Sequence, residues 1–217
     1  MTTLTSTRSV RTLLRFDKVQ RTVHWLNALL FGVLIFTAIP LYFGSFFGII
    51  FPRHVIQEIH LWSGLTLPLP ILISMAGPWG RRMRHDLRRF SYWTRAEISW
   101  LRSFAKSPLD ADKFNPGQKA NALFIGGTMV IMWVTGYILQ WFRFFPVSWR
   151  TGATVTHDFF AFLIFVVVVG HIVMALSHRE ALVSSLKGTI SDEWAEQHAK
   201  TWLREEQESN ETSQFND

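Results

Sequence analysis

The stretch VVVVGHIVMAL, residues 166–176, places one ionisable side chain, His171, inside a segment that is otherwise apolar. Polar ionisable groups are costly in hydrocarbon, so a histidine in such a segment indicates a functional site. The stretch closes a longer apolar run over residues 152–176, which is long enough as a helix to cross a hydrocarbon core of about 30 Å. The sequence around His171 therefore predicts a membrane helix that carries a polar site.

Three further apolar runs of similar length occur at about residues 23–43, 55–79 and 120–142. Hydrophobic residues make up 48% of the 217-residue chain, and they gather in these runs rather than in the short periodic bursts of a soluble fold. Tryptophan and tyrosine residues lie toward the ends of the runs, as is typical of the membrane interface. We predict an all-α integral membrane protein, a four-helix bundle that forms a single domain over residues 1–217.

The distribution of basic residues predicts the topology of this bundle. Five Lys and Arg residues lie in residues 1–22 and ten in residues 80–119, whereas the other two connections hold only three, Arg53, Arg143 and Arg150. By the positive-inside rule, both termini and the long middle loop are cytoplasmic. The formal net charge of +6 is thus explained by topology, and we predict no nucleic-acid partner.

Two segments outside the apolar runs have an amphipathic pattern. Residues 91–106 and residues 191–206 are each predicted to form a helix at the cytoplasmic membrane surface. The polar sequence EEQESNETSQFND, residues 205–217, is expected to form a disordered tail.

Eight histidines occur in the chain, and their depth in the predicted membrane separates them. Three lie in polar or boundary segments and are predicted to be surface residues: His54, His85 and His198. Five lie in or beside the apolar runs: His24, His60, His157, His171 and His178.

Four of these five histidines form two pairs at matching depths. His157 and His171 are fourteen residues apart, so on one helix they lie within about 40° of each other and about 21 Å apart. In the predicted topology His24 is level with His171, and His60 is level with His157. Two facing imidazoles at one depth are typical of a b-type haem, so the pattern predicts two haems enclosed by the bundle.

His178 is the alternative partner for His24, because it follows His171 by seven residues on nearly the same helix face. It lies just beyond the apolar run, and we therefore assign it an interfacial role.

Other site chemistries fit the sequence less well. With no Cys, the chain cannot hold a cysteine-ligated zinc ion or iron-sulfur cluster. The only carboxylates in the apolar runs, Glu58 and Asp158, lie near the outer boundary, which disfavours zinc or di-iron sites. A haem-free transporter or structural anchor is the remaining alternative, and it predicts a colourless protein.

The segment KFNPGQKANALF, residues 113–124, precedes the third run, and its Asn115 and Pro116 are typical of a helix start. Together with FDKVQRTVHW (16–25), EIHLWSG (58–64) and the His157–His171 spacing, it resembles the gamma, cytochrome b556-type subunit of membrane-bound respiratory formate dehydrogenase. The resemblance covers about residues 15–205. Related dihaem cytochromes of nickel-iron hydrogenases share the four-helix plan without the NPGQK loop. The alternative is therefore the cytochrome b subunit of a hydrogenase or of another respiratory molybdoenzyme.

This resemblance implies cofactors and site residues. It implies two haem b groups, with His60 and His157 as axial ligands of the outer haem and His24 and His171 as ligands of the inner haem. It also implies a site for a membrane quinone, menaquinone or ubiquinone, formed by Asn115, Gly117, Gln118 and His171. Family members commonly have Ala where Pro116 stands here, and proline should make this turn more rigid.

The resemblance further implies partners and a location. An iron-sulfur beta subunit, fed by a molybdenum or tungsten alpha subunit that oxidises formate, passes electrons to the outer haem and then through the inner haem to quinone. The complex is implied to be a trimer of heterotrimers in the bacterial inner membrane. Formate oxidation outside with proton uptake inside would build a membrane potential.

Overall fold

The structure is a computed structural model, and it describes residues 12–44 and 52–214. Arg8 and Arg11, two of the basic residues that predict a cytoplasmic N-terminus, lie outside these ranges. In the described residues the chain forms ten α-helices and two short strands. Their order is β1 Thr12–Leu14, α1 Lys18–Tyr42, α2 Arg53–Thr66, α3 Leu69–Ala76, α4 Arg81–Ser91, α5 Arg95–Arg102, α6 Pro116–Gln140, α7 Val147–Ser177, α8 Arg179–Lys187, β2 Thr189–Ser191, α9 Asp192–His198 and α10 Lys200–Gln214.

Four spans in this structure are long and apolar enough to cross a membrane: α1, α2 with α3, α6 and α7. Few residues in these spans are buried by other parts of the chain, and large apolar side chains such as Phe36 are mostly exposed. An apolar outer surface of this kind is matched by lipid. The predicted all-α, four-span architecture is confirmed.

The second span is interrupted between α2 and α3, at Leu67 and Pro68. Proline has no backbone N–H to donate to the preceding turn, and its ring clashes with that turn, so a helix kinks or breaks there. The run predicted over residues 55–79 is therefore two helices in series.

The helices pack in neighbouring pairs, and the terminal segments meet at one end of the bundle. Helix α1 packs on α2 and α3, α6 packs on α7, and α2 also contacts α6. Strand β1 pairs antiparallel with β2, with Thr12 opposite Ser191. The segments that flank the first and last spans thus lie on the same side of the bundle, and their cytoplasmic location remains a prediction from the charge distribution.

The amphipathic segment predicted over residues 91–106 is shorter in the structure. Helix α5 begins after Thr94, whose hydroxyl accepts a hydrogen bond from the Glu97 backbone N–H, while the Glu97 carboxylate accepts one from the Thr94 N–H. This reciprocal cap starts a new helix and separates α5 from α4. Beyond the helix, Phe104 and Ala105 have positive φ values, which end the helical segment.

The C-terminal segment also differs from its prediction. Instead of one helix over residues 191–206, α9 and α10 meet at the buried Ala199, and the two pack with Ile190 and Trp202 in a small apolar cluster. Residues 205–214, predicted to be disordered, continue α10. A salt bridge from Arg89 to Glu205 tethers this helix, and composition alone does not reveal such a contact. Residues 215–217 of the predicted tail lie outside the described residues.

Two buried ion pairs hold the segment that leads into α6. Lys113 lies 2.6 Å from Asp86 of α4, and Lys119 lies 2.5 Å from Glu97 of α5, with all four side chains almost fully buried. Buried charges need partners, because the cost of desolvating an unpaired ion is several kcal/mol. The two pairs therefore fix both sides of the Asn115 turn against α4 and α5.

We expect Glu97→Gln to lower the free energy of unfolding by about 3–5 kcal/mol, because it leaves Lys119 buried without a counter-charge. Glutamine keeps the capping hydrogen bond to the Thr94 N–H, so the substitution isolates the effect of charge. The matched control is Asp110→Asn, which removes the exposed pair between Asp110 and Lys200 and should cost less than about 1 kcal/mol. Denaturant titration in detergent micelles, followed by circular dichroism, measures both, and equal losses would contradict the prediction.

Candidate functional site

The structure brings together the two histidine pairs that the sequence predicts. His24 of α1 faces His171 of α7, with ring centroids 6.3 Å apart and ring planes inclined by 65°. His60 of α2 faces His157 of α7 at 6.5 Å and 61°. Helix α7 thus contributes one histidine to each pair, and α1 and α2 contribute the partners.

Both separations fit two imidazoles on opposite sides of one metal ion. A bond from a metal to an imidazole nitrogen is about 2 Å long, and the ring centroid lies about 1 Å behind that nitrogen, so the two centroids should be about 6 Å apart. Among the described residues, no third His, Cys, Asp or Glu joins either pair to form a metal-binding group. The remaining metal ligands would have to come from a macrocycle, and the residues present therefore fit haem.

A threonine from a neighbouring helix contacts each histidine of the predicted outer pair, His60 and His157. The Thr37 hydroxyl of α1 lies 2.8 Å from His60 Nδ1, and the Thr135 hydroxyl of α6 lies 2.9 Å from His157 Nδ1. Both threonines are buried. The sequence analysis did not identify these threonines, because threonine is common in apolar helices. The only signal in the sequence was that each threonine lies at the predicted depth of a histidine.

The inner pair is built differently. In the described part of the chain, neither the His24 ring nor the His171 ring makes a hydrogen bond. The His24 ring instead packs edge-on against Trp25, whose indole N–H donates to the Ser185 backbone carbonyl 3.1 Å away. The two pairs are therefore alike in ring separation and different in their hydrogen bonding.

His178 lies at the end of α7 rather than opposite His24. It is exposed, and its Nδ1 lies 2.9 Å from the Met174 carbonyl of its own helix. The structure thus places His171, and not His178, across from His24. All three predicted surface histidines are exposed: His54, His85 and His198. The His198 ring stacks on Trp194.

The predicted quinone-site residues Asn115, Gly117 and Gln118 lie at the first turn of α6. The Asn115 side-chain oxygen accepts a hydrogen bond from the Gln118 N–H, and the Gln118 side-chain oxygen accepts one from the Asn115 N–H. Both carbonyl oxygens are therefore engaged in capping the helix, and the two amide NH₂ groups are left to donate to a ligand. Pro116 is almost fully buried at the first helical position, where its missing N–H has no partner to lose.

His171 lies deeper in the bundle than this turn. The contact between Thr135 and His157 sets the register of the antiparallel helices α6 and α7, and by that register His171 is level with Asn121. The turn is thus about 5–9 Å nearer the predicted cytoplasmic end, at 1.5 Å per residue. In the described residues no hydrogen bond joins the turn to His171.

Basic side chains gather beside the turn. Burial lowers the pKa of Lys113, an effect that Asp86 opposes. Burial also lowers the pKa of Arg15 to about 10, and its guanidinium donates to the Lys113 carbonyl at 2.9 Å. The pKa of Arg15 is still far above neutral, so its positive charge is retained beside the turn.

Comparison with known proteins gives a consistent result. A profile of the prokaryotic cytochrome b561 family matches residues 15–188. The cytochrome b556 subunit of formate dehydrogenase from Haemophilus influenzae is 25% identical over 202 residues, which cover 89% of this chain and 83% of that protein. The formate dehydrogenase cytochrome b556(fdo) subunit of Escherichia coli K12 is 24% identical over 206 residues, covering 89% and 93%. The nitrate-inducible cytochrome b556(Fdn) subunit of the same strain is 20% identical over 204 residues, covering 89% and 91%.

Gly136 of α6 offers a test of the outer pair, because a Cβ added there would lie 3.5 Å from His157 Cε1. We expect Gly136→Leu to displace the His157 ring and reduce the haem content of the purified protein, whereas Gly136→Ala should be tolerated at this ordinary contact distance. Pyridine haemochrome assay measures haem per chain. Gly152→Leu is the control, since a Cβ there meets no atom within 4 Å and Gly152 is exposed. Equal haem content in Gly136→Leu and Gly152→Leu would contradict the role of His157.

Proposed function

The chain belongs to the prokaryotic cytochrome b561 family, and we propose that it is the cytochrome b membrane subunit of a formate dehydrogenase. In this proposal it carries electrons from an iron-sulfur beta subunit across the inner membrane to quinone. The oxidation of formate itself belongs to a molybdenum or tungsten alpha subunit. The protein would work in a trimer of heterotrimers with both of its termini in the cytoplasm.

The observation that carries this proposal is that four histidines form two facing pairs, His24 with His171 and His60 with His157. Two sites with imidazoles at the separation of axial ligands, 6.3 and 6.5 Å, lie on one four-span bundle. His157 and His171 are about 21 Å apart along α7, which places one site near each membrane surface. Two stacked redox sites of this kind give an electron path across most of the hydrocarbon core.

The side chains have defined roles in this proposal. His60 and His157 hold the outer haem b, and His24 and His171 hold the inner haem b. When bound, each haem supplies a one-electron redox centre. The lipid-facing apolar surface of α1, α6 and α7 and the flanking interfacial helices keep these centres at fixed depths.

The turn that contains Asn115 supplies the quinone site. The amide NH₂ groups of Asn115 and Gln118 are free to donate to a quinone carbonyl. Gly117 keeps the turn narrow, because a Cβ added there would lie 3.3 Å from Asn115 Oδ1 and 3.9 Å from the ring of Trp100. Reduction of a quinone takes two electrons and two protons. The partly exposed turn at the predicted cytoplasmic end gives protons access from water, and His171 lies about 5–9 Å deeper, close to the inner haem.

The similarity to formate dehydrogenase subunits over 89% of the chain favours formate as the electron source over hydrogen. The experiment that separates these donors is the reduction of the cytochrome in native membranes. Formate should reduce it, and hydrogen should not.

We expect the purified protein to bind two b haems, seen in a dithionite-reduced minus oxidised visible spectrum with haem counted per chain. His60→Ala and His157→Ala should each remove the same haem, and His24→Ala and His171→Ala should each remove the other, because each pair shares one iron. His178→Ala is the control and should retain both haems. A colourless parent protein, or loss of haem in the His178 variant in place of the His171 variant, would contradict the assignment.

We expect Asn115→Asp to slow quinone reduction roughly tenfold, because aspartate still caps α6 but lacks the NH₂ donor. The measurement is the second-order rate constant for oxidation of the dithionite-reduced cytochrome by added quinone, in a stopped-flow instrument. Haem content and melting temperature should match the parent. Ser191→Ala, which removes the cap of α9, is the control away from the turn. An unchanged rate in Asn115→Asp would place the quinone elsewhere.

A further inference from the structure

We propose that Thr37 and Thr135 are positioning residues for the outer haem, which hold the proton of His60 and His157 on Nδ1 and thereby lower the reduction potential of that haem relative to the inner one. The inference rests on the proposed haem ligation and adds a role for two residues outside it. It also gives a role to α6, the span that carries no histidine.

The direction of each hydrogen bond follows from a second contact of the threonine. The Thr37 hydroxyl lies 2.7 Å from the Val33 carbonyl, and the Thr135 hydroxyl lies 2.8 Å from the Ile131 carbonyl. A carbonyl oxygen can only accept, so each hydroxyl donates its one proton to its own helix. The hydroxyl oxygen then accepts from Nδ1–H of the histidine.

This arrangement selects one tautomer of each imidazole. With the proton held on Nδ1, the Nε2 lone pair of His60 and of His157 is free to bind iron. The opposite tautomer would place a proton on Nε2 and leave Nδ1 and the threonine oxygen as two facing acceptors. The helix-bound threonines therefore prepare both imidazoles for ligation through the same atom.

A hydrogen bond from the distal ring nitrogen also changes the ligand itself. An imidazole that donates from Nδ1 is a more basic ligand, and a more basic ligand stabilises ferric iron more than ferrous iron. The potential of the outer haem is therefore lowered. In the described residues the rings of His24 and His171 have no such partner, so the inner haem lacks this effect.

A lower reduction potential at the outer haem than at the inner haem matches the direction of the proposed electron path. Electrons enter at the outer haem and leave at the inner haem, and transfer is favourable when the donor has the lower potential. Threonines at the outer pair alone thus favour transfer inward.

The test is a redox titration of the full-length purified protein, with the outer haem identified as the one that His60→Ala removes. In Thr37→Val and in Thr135→Val we expect the equilibrium constant for one-electron reduction of the outer haem to rise about fivefold. The reduction potential of that haem should therefore rise by about 40 mV, because a tenfold change corresponds to about 59 mV. The ferric low-spin electron paramagnetic resonance signal of the same haem should also shift. The inner haem should keep the potential and the signal of the parent.

Two sets of controls distinguish positioning from a general effect of packing. Thr37→Ser and Thr135→Ser retain the hydroxyl and should match the parent. Thr128→Val removes a buried hydroxyl of α6 and should change neither haem. Among the described residues this hydroxyl hydrogen-bonds only to carbonyls of its own helix, at Phe124 and Ile125.

The haem content and potentials of these variants decide whether Thr37 and Thr135 position the outer haem. Loss of the outer haem in the valine variants with retention in the serine variants also supports the inference. Two retained haems with the potentials and spectra of the parent in both valine variants would overturn it, as would an equal shift in Thr128→Val. A colourless parent protein would instead overturn the proposed function, so the two failures can be told apart.

Discussion

The placement of four imidazoles between apolar helices is the constraint on which the rest of this structure depends. A histidine in hydrocarbon needs partners for its ring nitrogens, because an unsatisfied polar group there costs several kcal/mol. At the outer pair, threonines that are themselves bound to helix carbonyls supply one partner for each ring. The ring centroids of His60 and His157 lie 6.5 Å apart, a separation that suits a metal centre between the two rings. The two threonine–histidine contacts join α1 to α2 and α6 to α7, which are pairs of helices that pack on each other.

The end of the bundle at which α6 begins is stabilised by a different interaction. Two buried ion pairs, Lys113 with Asp86 and Lys119 with Glu97, enclose the short turn that begins α6. The turn uses its own side-chain oxygens for the helix cap and leaves its amide donors available. The two ion pairs thus hold this polar turn in place against α4 and α5.

The two ends of the bundle thus differ in the hydrogen bonding of their histidines. His60 and His157, whose rings are hydrogen-bonded to threonines, lie at one end. His24 and His171, whose rings make no hydrogen bond among the described residues, lie toward the end that holds the Asn115 turn. The same helix, α7, carries a ligand of each pair, so the spacing between the two sites is fixed by helix geometry and does not depend on loops.

Much of this organisation is readable in the sequence. The length and polarity of four runs determine the spans, the count of basic residues predicts the topology, and the fourteen-residue spacing of His157 and His171 predicts two sites, because helical periodicity and hydrocarbon thickness are local constraints. Other features depend on contacts between distant residues. Only the tertiary structure shows that Thr37 contacts His60, that Thr135 contacts His157 and that Glu97 pairs with Lys119. It also divided the C-terminal segment at Ala199 and kept residues 205–214 helical, since no local pattern in the sequence specifies which side chains meet across helices.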